Sequence, residues 1–271
     1  MREFPWHATR DPWHVLISEV MLQQTNVGRV RPRFERFVAL APTPAACVDV
    51  PLSDLLIEWQ GMGYPRRCRN IQAAAGVIVE RHAGVVPRDL DSLMALPGIG
   101  PYTARAILAF AFGDDAAVVD TNVARVISRV VGRALKPRET QEIADDLLPH
   151  GLARDWNQVI MDFGATVCAA RSPECATCPI ATRCAWRGRG DDPARTTAFT
   201  SRPQGRFEGS DRQARGRLMK RLTEGSVDAG EIGLVMGVDD APRAARLVGS
   251  LVSDGLVEFV DGAYRLSSSR K

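Results

Sequence analysis

Residues 13–24 (Trp-His-Val-Leu-Ile-Ser-Glu-Val-Met-Leu-Gln-Gln) are nearly all apolar, with Ser18, Glu19 and the terminal glutamines as the main exceptions. Such a run predicts a buried helix rather than an amphipathic surface one. Shorter segments follow, punctuated by Pro and Gly, and they predict helices over 27–40, 52–59, 66–82, 91–95, 102–112, 121–132, 139–149 and 154–167. In 121–132 the positions Val123, Val126, Ile127, Val130 and Val131 form a stripe at i, i+3, i+4, i+7 and i+8. No convincing strand alternation precedes residue 254, so the first 185 residues read as all-α with short connections.

After Cys184 the pattern changes. Residues 186–210 are rich in Arg, Gly, Asp, Ser and Pro and read as a linker. From Asp211 three helices are expected (211–224, about 228–236 and 240–254). A hairpin in Gly255–Leu266 follows, turned by Asp261-Gly262. That is the outline of a small winged-helix-like C-terminal domain, of a kind that also serves as a protein contact.

A length of 271 residues is consistent with two domains, and 45% hydrophobic with 25% charged residues excludes a disordered or collagenous chain. No run of about 18 apolar residues suggests a membrane span, so no membrane partner is expected. The N-terminus has no signal-like segment, so a reducing cytoplasm is the expected compartment. Of 35 basic residues only Lys136, Lys220 and Lys271 are lysines. GC-rich codon usage explains such a bias, yet it leaves three candidates for any lysine chemistry. Residues 1–185 hold 20 basic and 20 acidic side chains, so the net +3 charge lies in residues 186–271.

Cys168, Cys175, Cys178 and Cys184 follow the spacing Cys-x6-Cys-x2-Cys-x5-Cys. Four such thiols can bind zinc or an iron–sulfur cluster. Zinc ribbons usually use two Cys-x2-Cys knuckles, and this set has one. Gaps of six, two and five suit wrapping a cube, although spacing alone leaves zinc open. Cys47 and Cys68 stand apart and read as small buried apolar side chains.

This cysteine spacing at the end of a helical body resembles the iron–sulfur loop of the endonuclease III/MutY superfamily of DNA glycosylases. The resemblance implies a 4Fe-4S cluster with a structural and positioning role. It also places Arg171, Arg183 and Arg187 near phosphate, although each reads equally well as solvated rim.

Leu96-Pro97-Gly98-Ile99-Gly100-Pro101-Tyr102-Thr103-Ala104 joins one helix to the next. Gly98 and Gly100 allow a tight turn and close backbone approach, and free N–H groups at the following helix start can hold a phosphate. Alone this is a plain helix–turn–helix corner; with the cysteines it resembles the superfamily's helix-hairpin-helix (about 91–112). Asp120 stands just ahead of a helix, where Asp is a good N-cap. By resemblance it is the active-site aspartate. Glu19 interrupts the apolar helix, and burial there is expected to raise its pKa as a general acid requires. Together two such carboxyls supply what N-glycosidic cleavage needs: one protonates the leaving base and the other stabilises an oxocarbenium-like sugar.

Ile17-Ser18-Glu19-Val20-Met21-Leu22-Gln23-Gln24-Thr25 resembles the catalytic helix of MutY-type adenine glycosylases. The resemblance implies that Glu19 protonates adenine, that Gln23, Gln24 and Thr25 read or fill the opposite strand, and that Met62 and Tyr64 form a wedge. Gly98, Gly100 and Thr103 are its expected hairpin contacts to DNA. Trp156-Asn157-Gln158 through Gly164-Ala165 match the stretch before the first cluster cysteine. Bifunctional relatives carry a Schiff-base lysine where this chain has Tyr102, so a monofunctional hydrolase without lyase activity is expected, with Tyr102 shaping the pocket.

Four departures bear on the transfer. The tail is too short for the NUDIX-like domain usual in these enzymes, Trp6-His7 replaces Trp-Arg, Pro65 replaces a second Tyr, and the helix usually preceding Pro5 has no counterpart. The expected organisation is a glycosylase domain over 1–187 with the cysteine loop at 168–184, a linker over 188–210, and a winged-helix-like domain over 211–271. The expected activity is excision of adenine opposite 8-oxoguanine or guanine. Its expected partner is mismatched double-stranded DNA bound by a monomer, with other repair proteins as candidates for the tail. The alternatives are a thymine/uracil mismatch glycosylase, a non-catalytic iron–sulfur DNA-binding regulator, and a zinc-ribbon protein.

Overall fold

The buried helix expected at the start is α1 (Pro12–Leu22), whose first turn is held by Asp11 accepting from Trp13 N at 2.8 Å. The computed structural model describes residues 4–196 and 205–268, so positions 197–204 of the expected linker lie outside the described residues. After α1 come α2 (Val27–Leu40), α3 (Pro44–Asp49), α4 (Leu52–Glu58), α5 (Arg66–His82), α6 (Leu90–Met94) and α7 (Pro101–Ile107). Then follow α8 (Thr121–Val131), α9 (Pro137–Leu147) and α10 (Ala153–Thr166), and, beyond the linker, α11 (Asp211–Leu222), α12 (Ile232–Met236) and α13 (Ala241–Ser253). The strands are β1 (Val227–Asp228), β2 (Val257–Val260) and β3 (Ala263–Leu266). Among the described residues no helix is long and apolar enough to cross a membrane.

The helix starts follow from side-chain caps. Asn26, Thr43, Asp120 and Ser210 each accept a backbone N–H from the first turn that follows them. Three expectations need correction. No helix is expected between 40 and 52, yet α3 forms there, started by the Thr43 cap and by Pro44 at its first position. The single helix expected over 102–112 is α7 followed by a π-helical turn, Leu108–Phe112, closed by Gly113 at φ 72°. The tail helix expected from about 228 begins at Ile232, because Val227 and Asp228 form β1 and Ala229–Glu231 a 3-10 turn. A two-residue strand has no alternation to read; β1 exists because it pairs with β3, 36 residues further on.

The chain divides into two compact units. One comprises residues 4–15, 88–91 and 100–196 and contains α7–α10 and the cysteine loop. Its core joins Ala117, Val119, Val123, Ala124, Ile127, Leu135 and Ala144, with Ile143, Leu148, Ile160 and Met161 packed against them. Val123, Val126 and Ile127 of the α8 stripe are buried, whereas Val131 is exposed. Asn157 of α10 is a latch: it accepts from Val118 N at 2.8 Å and donates to Ala116 O at 2.9 Å. Gly164 lets α10 meet α8 closely, since a Cβ there would lie 2.9 Å from Asn122 Cβ and 3.1 Å from Asn122 O.

The other unit comprises residues 16–87, 92–99 and 205–268. Helix α3 packs on α5, and α4 on both α2 and α5. Leu16, Ile17, Met21, Phe37, Leu55, Cys47, Cys68, Ile71 and Ile78 are buried within it. Burial pushes the Cys47 thiol up to about 12 and raises Cys68 well above its ordinary value, as the expected small-apolar role of both predicts. The tail has α11–α13 and an antiparallel sheet of order β1-β3-β2, the expected winged-helix outline. Asp261 and Gly262 both have positive φ (51° and 81°), as a two-residue type I′ hairpin requires.

A Gly164→Ala variant tests the α8–α10 contact. Helix propensity alone favours Ala by about 1 kcal/mol, but overpacking against a backbone carbonyl costs about 1–3 kcal/mol. The expected outcome is a lowered melting temperature.

Candidate functional site

Glu19 is only 7% exposed, set among Leu16, Ile17, Ser18, Val20 and Met21. The helix that carries it ends in a turn where Gln24 has a φ of 54°, a left-handed conformation that costs about 1 kcal/mol or more for a non-glycine residue. Residues 61–64 form a second such turn, with positive φ at Gly61, Gly63 and Tyr64 (86°, 73° and 48°). Each turn presents backbone carbonyls that no helix satisfies.

Arg67, in the first turn of α5, accounts for both. Its Nη1 donates to Val20 O at 2.8 Å, Met21 O at 3.0 Å and Gln23 O at 2.5 Å. Its Nη2 donates to Thr25 Oγ1 at 2.8 Å, Met62 O at 3.3 Å and Gly63 O at 3.1 Å. The guanidinium lies 5.3 Å from the Trp59 ring centre and 5.6 Å from that of Tyr64. Burial pulls its pKa down to about 10, with Tyr64 and Cys68 acting in the opposite sense, so it remains a cation at neutral pH.

Around this centre the expected residues divide by exposure. Tyr64 is 37% exposed, as a surface contact requires, whereas Met62 is 2% exposed. Met62 therefore supports its turn from within, and its carbonyl accepts from Arg67 and from Thr25 Oγ1 at 3.2 Å. Trp59 Nε1 donates to Gly63 O at 3.0 Å, and Arg33 Nε to Gln60 O at 2.6 Å. Gln23 Nε2 reaches Gly98 O at 3.5 Å, which brings the glutamine turn and the hairpin together. Gly98 has φ 79°, and a Cβ there would lie 2.8 Å from Asn70 Cβ, so both backbone and space demand glycine.

The other residues belong to the first-described unit. Gly100, extended at φ −99°, precedes Pro101 at the start of α7, followed by half-buried Tyr102 and by Thr103 at 2% exposure. Asp120 uses both carboxylate oxygens: Oδ1 accepts from Val123 N at 2.7 Å and Oδ2 from Asn122 Nδ2 at 2.8 Å. Asn122 Oδ1 in turn accepts from Arg125 Nη2 at 2.8 Å, and Arg125 Nε donates to Cys168 O at 2.9 Å. A hydrogen-bonded chain therefore runs from Asp120 to the first cysteine of the loop.

Cys168, Cys175, Cys178 and Cys184 all line one cavity, walled by Val126, Val130, Phe163, Val167, Ile180 and Trp186. Among the described residues no three Cys, His, Asp or Glu side chains converge closely enough for a single metal ion. Cys175 has a raised pKa from burial and from the other three thiols, so the four sulfurs share one electrostatic environment. Donors point at them: Arg129 Nη1 to Cys168 Sγ at 3.3 Å and Arg187 N to Cys184 Sγ at 3.4 Å. Gly188, at φ 74°, leaves no side chain against Cys175 Sγ. An apolar wall, four thiols around a shared space and N–H donors to sulfur fit a thiolate-held metal centre.

Arg129 is the buried anchor of this loop. Beyond Cys168 it binds Ala169 O, Ala170 O and Asp192, and it lies 4.5 Å from the Trp186 ring centre. Burial penalises the Asp192 carboxylate, but the Arg129 hydrogen bonds outweigh it and hold the pKa below the usual range. Of the three arginines expected near phosphate, Arg187 turns back onto Cys184 O and Thr182 O at 2.9 and 2.8 Å. Sequence reasoning missed Arg67, Arg125 and Arg129. In a chain with so many arginines, nothing local marks Arg67 and Arg129 as buried or Arg125 as partly buried.

Comparison with known proteins identifies the family. Residues 17–150 match the family model described as HhH-GPD superfamily base excision DNA repair protein. The chain is 41% identical over 98% of its length, and 92% of the relative's, to an adenine DNA glycosylase of Mycolicibacterium smegmatis. It is 34% identical to a thymine/uracil-DNA glycosylase of Methanothermobacter thermautotrophicus, over 68% of this chain and 86% of that one. The solved structure of a thermostable thymine-DNA glycosylase superposes with a TM-score of 0.67 at 34% identity, covering 69% of this chain and 89% of that one.

Arg67→Met should leave the ends of both turns unsatisfied and cost about 1–3 kcal/mol for each buried acceptor left without a donor. Arg67→Lys keeps the charge without the planar fork and should cost less. Urea denaturation of the two variants measures the difference; equal stability of both with the wild type would refute the assigned role.

Proposed function

Since the chain belongs to the HhH-GPD superfamily of base excision DNA repair proteins, we propose that it hydrolyses the N-glycosidic bond of adenine mispaired with 8-oxoguanine or guanine. The observation that carries this reading is Glu19, a buried carboxyl one turn ahead of the Gln23–Thr25 turn. The 41% identity to an adenine DNA glycosylase over 98% of the chain supports adenine as the base.

The chemistry assigns each residue a task. A base inside the duplex is inaccessible, so the target nucleotide must first be flipped out. Tyr64, on a turn fixed by Arg67, is suited to fill the space beside the orphaned partner base, and Gln23, Gln24 and Thr25 to read it. Gly98, Gly100 and the backbone at the start of α7 are suited to approach a phosphate without reading sequence. Glu19 donates a proton to the base as the glycosidic C–N bond breaks, and the Asp120 carboxylate stabilises the oxocarbenium-like sugar. Water adds at the anomeric carbon and releases its proton, leaving an abasic site. Tyr102 offers no amine for a Schiff base, so the strand is not cut.

Cys168, Cys175, Cys178 and Cys184 are proposed to hold a 4Fe-4S cluster, whose contribution when bound is structural. Through Cys168 O, Arg125 and Asn122 the loop steadies Asp120. The domain organisation proposed is a glycosylase domain over 1–187, a linker over 188–210 and a winged-helix-like domain over 211–271, acting as a monomer on mismatched DNA.

Purified protein should release adenine from an A·8-oxoguanine duplex, with strand breakage seen only after alkali. Breakage without alkali, or excision of thymine from T·G but not adenine, would refute the proposal and favour the lyase or thymine/uracil reading. Glu19→Gln and Asp120→Asn should each lower single-turnover excision by about 100-fold or more while retaining duplex binding. The same preparation should show the broad visible absorbance of an iron–sulfur cluster, and Cys178→Ser should lose it; a colourless zinc-bearing protein would overturn the cofactor assignment.

A further inference from the structure

Helix α13 ends at an unusual neighbour. Asp254, at its C-cap and only 16% exposed, receives two arginines: Arg215 Nη2 from α11 at 2.7 Å and Arg66 Nε from the first turn of α5 at 3.5 Å. The next residue, Gly255, closes α13 with φ 65°, and a Cβ on it would lie 2.9 Å from the Arg69 guanidinium, again from α5. The tail therefore meets α5 through two consecutive residues, one by charge and one by the absence of a side chain. The sheet adds a third point, since β3 packs on α4.

The place of this contact on α5 gives it meaning. Arg66 and Arg69 are three residues apart and share a helix face, which is turned to the tail. Between them stands Arg67, which holds the ends of the Gln23–Thr25 and Gly61–Tyr64 turns. Pro65 alone separates Tyr64 from Arg66. A first helical turn is the part of a helix most prone to fray, because its N–H groups have no partners within the helix. Pro65 supplies no side-chain cap to α5. The tail contributes, at that turn, side-chain contacts to Arg66 and Arg69 from outside the helix.

We propose that the C-terminal tail is a positioning element of the glycosylase: Asp254 and Gly255 hold the first turn of α5 through Arg66 and Arg69, and so fix the two turns that Arg67 braces. Asp254 touches no substrate; it acts through α5. The catalytic part of this inference rests on the function proposed above, while its mechanical part does not.

The test uses the full chain. Amide hydrogen exchange over residues 61–68 is measured in the free protein for wild type, Asp254→Ala, Asp254→Glu, Arg66→Ala and the double variant Arg66→Ala/Asp254→Ala. Single-turnover adenine excision is measured beside it. Asp254→Ala and Arg66→Ala are each expected to speed exchange there, and to slow excision, by about 2- to 5-fold, the size of a partly exposed ion pair. The double variant should be no worse than the worse single one, and Asp254→Glu should recover part of both losses. Arg66 is largely exposed, so its variant reads the contact even where Asp254→Ala fails to fold. Arg243→Ala, which breaks a tail-internal ion pair with Asp211, should lower the melting temperature without changing excision.

Unchanged exchange at 61–68 in both single variants overturns the proposal. Faster exchange with wild-type excision leaves a mechanical contact and overturns its positioning role. Should wild type excise adenine from no duplex, the proposed function fails, and the exchange comparison alone decides whether the tail holds α5.

Discussion

A single guanidinium, buried where six oxygens from two turns converge, is the constraint on which the candidate site depends. The α1 helix must stop abruptly after Leu22 to leave Gln23, Gln24 and Thr25 in an exposed turn, and stopping leaves carbonyls without partners. The turn at 61–64 carries three residues at positive φ, one of them Tyr64, and such backbone persists only where its surroundings over-determine it. Arg67 satisfies both sets of carbonyls at once because a planar fork carries donors in several directions. A lysine has the charge but not the fork. Burying a cation is costly, and its cost here is offset by the carbonyls it serves and by the faces of Trp59 and Tyr64.

The unit that holds α7–α10 repeats this solution with different partners. Arg129 is buried beside the cysteine loop, and Arg125 links that loop to Asn122 and so to Asp120. In both cases an irregular segment that must present a chemical group is held by an arginine on a neighbouring regular helix. This gives the abundance of arginine a structural consequence beyond net charge. The first 185 residues have no excess positive charge. Affinity for a polyanion must then come from local placement and from backbone N–H groups at helix starts.

What the sequence made legible, and what it hid, follows from the range of the interactions involved. The boundaries of α1, α2, α4–α6 and α8–α10 were readable to within about two residues because Pro, Gly and side-chain caps act locally, whereas the short α3 and the π-helical end of α7 were not. Asp120 was readable as an N-cap from its own neighbours, and the Asp261-Gly262 turn from a two-residue signal. The cysteine loop was readable from spacing because all four thiols lie within one short segment. Arg67 was hidden, since its acceptors at Val20, Met21 and Gln23 are more than 40 residues away. Strand β1 was hidden because two residues carry no period, and its pairing with Val227↔Tyr264 is a tertiary fact. The burial of Met62 was hidden by the exposure of its neighbour Tyr64 on the same turn.

Helix geometry explains why so many of these long-range contacts fall on α5. Successive residues of a helix turn by about 100°, so one short stretch can face several directions. Arg66 and Arg69 face the tail at Asp254 and Gly255. Arg67 faces the two turns, and Asn70 packs against Gly98 of the hairpin. Gln72 then donates to Cys47 O at 3.2 Å and Val50 O at 2.7 Å, satisfying the C-terminal end of α3. Five residues within 66–72 thus tie the glutamine turn, the turn at 61–64, the hairpin glycine, the end of α3 and the tail to one rigid rod. Displacing that rod by a fraction of an ångström moves all of them together, so an error that would blur separate loops becomes a shared translation that preserves their mutual geometry. A site assembled from loops gains from such a common reference, because precise placement depends on rigid support more than on the loops themselves.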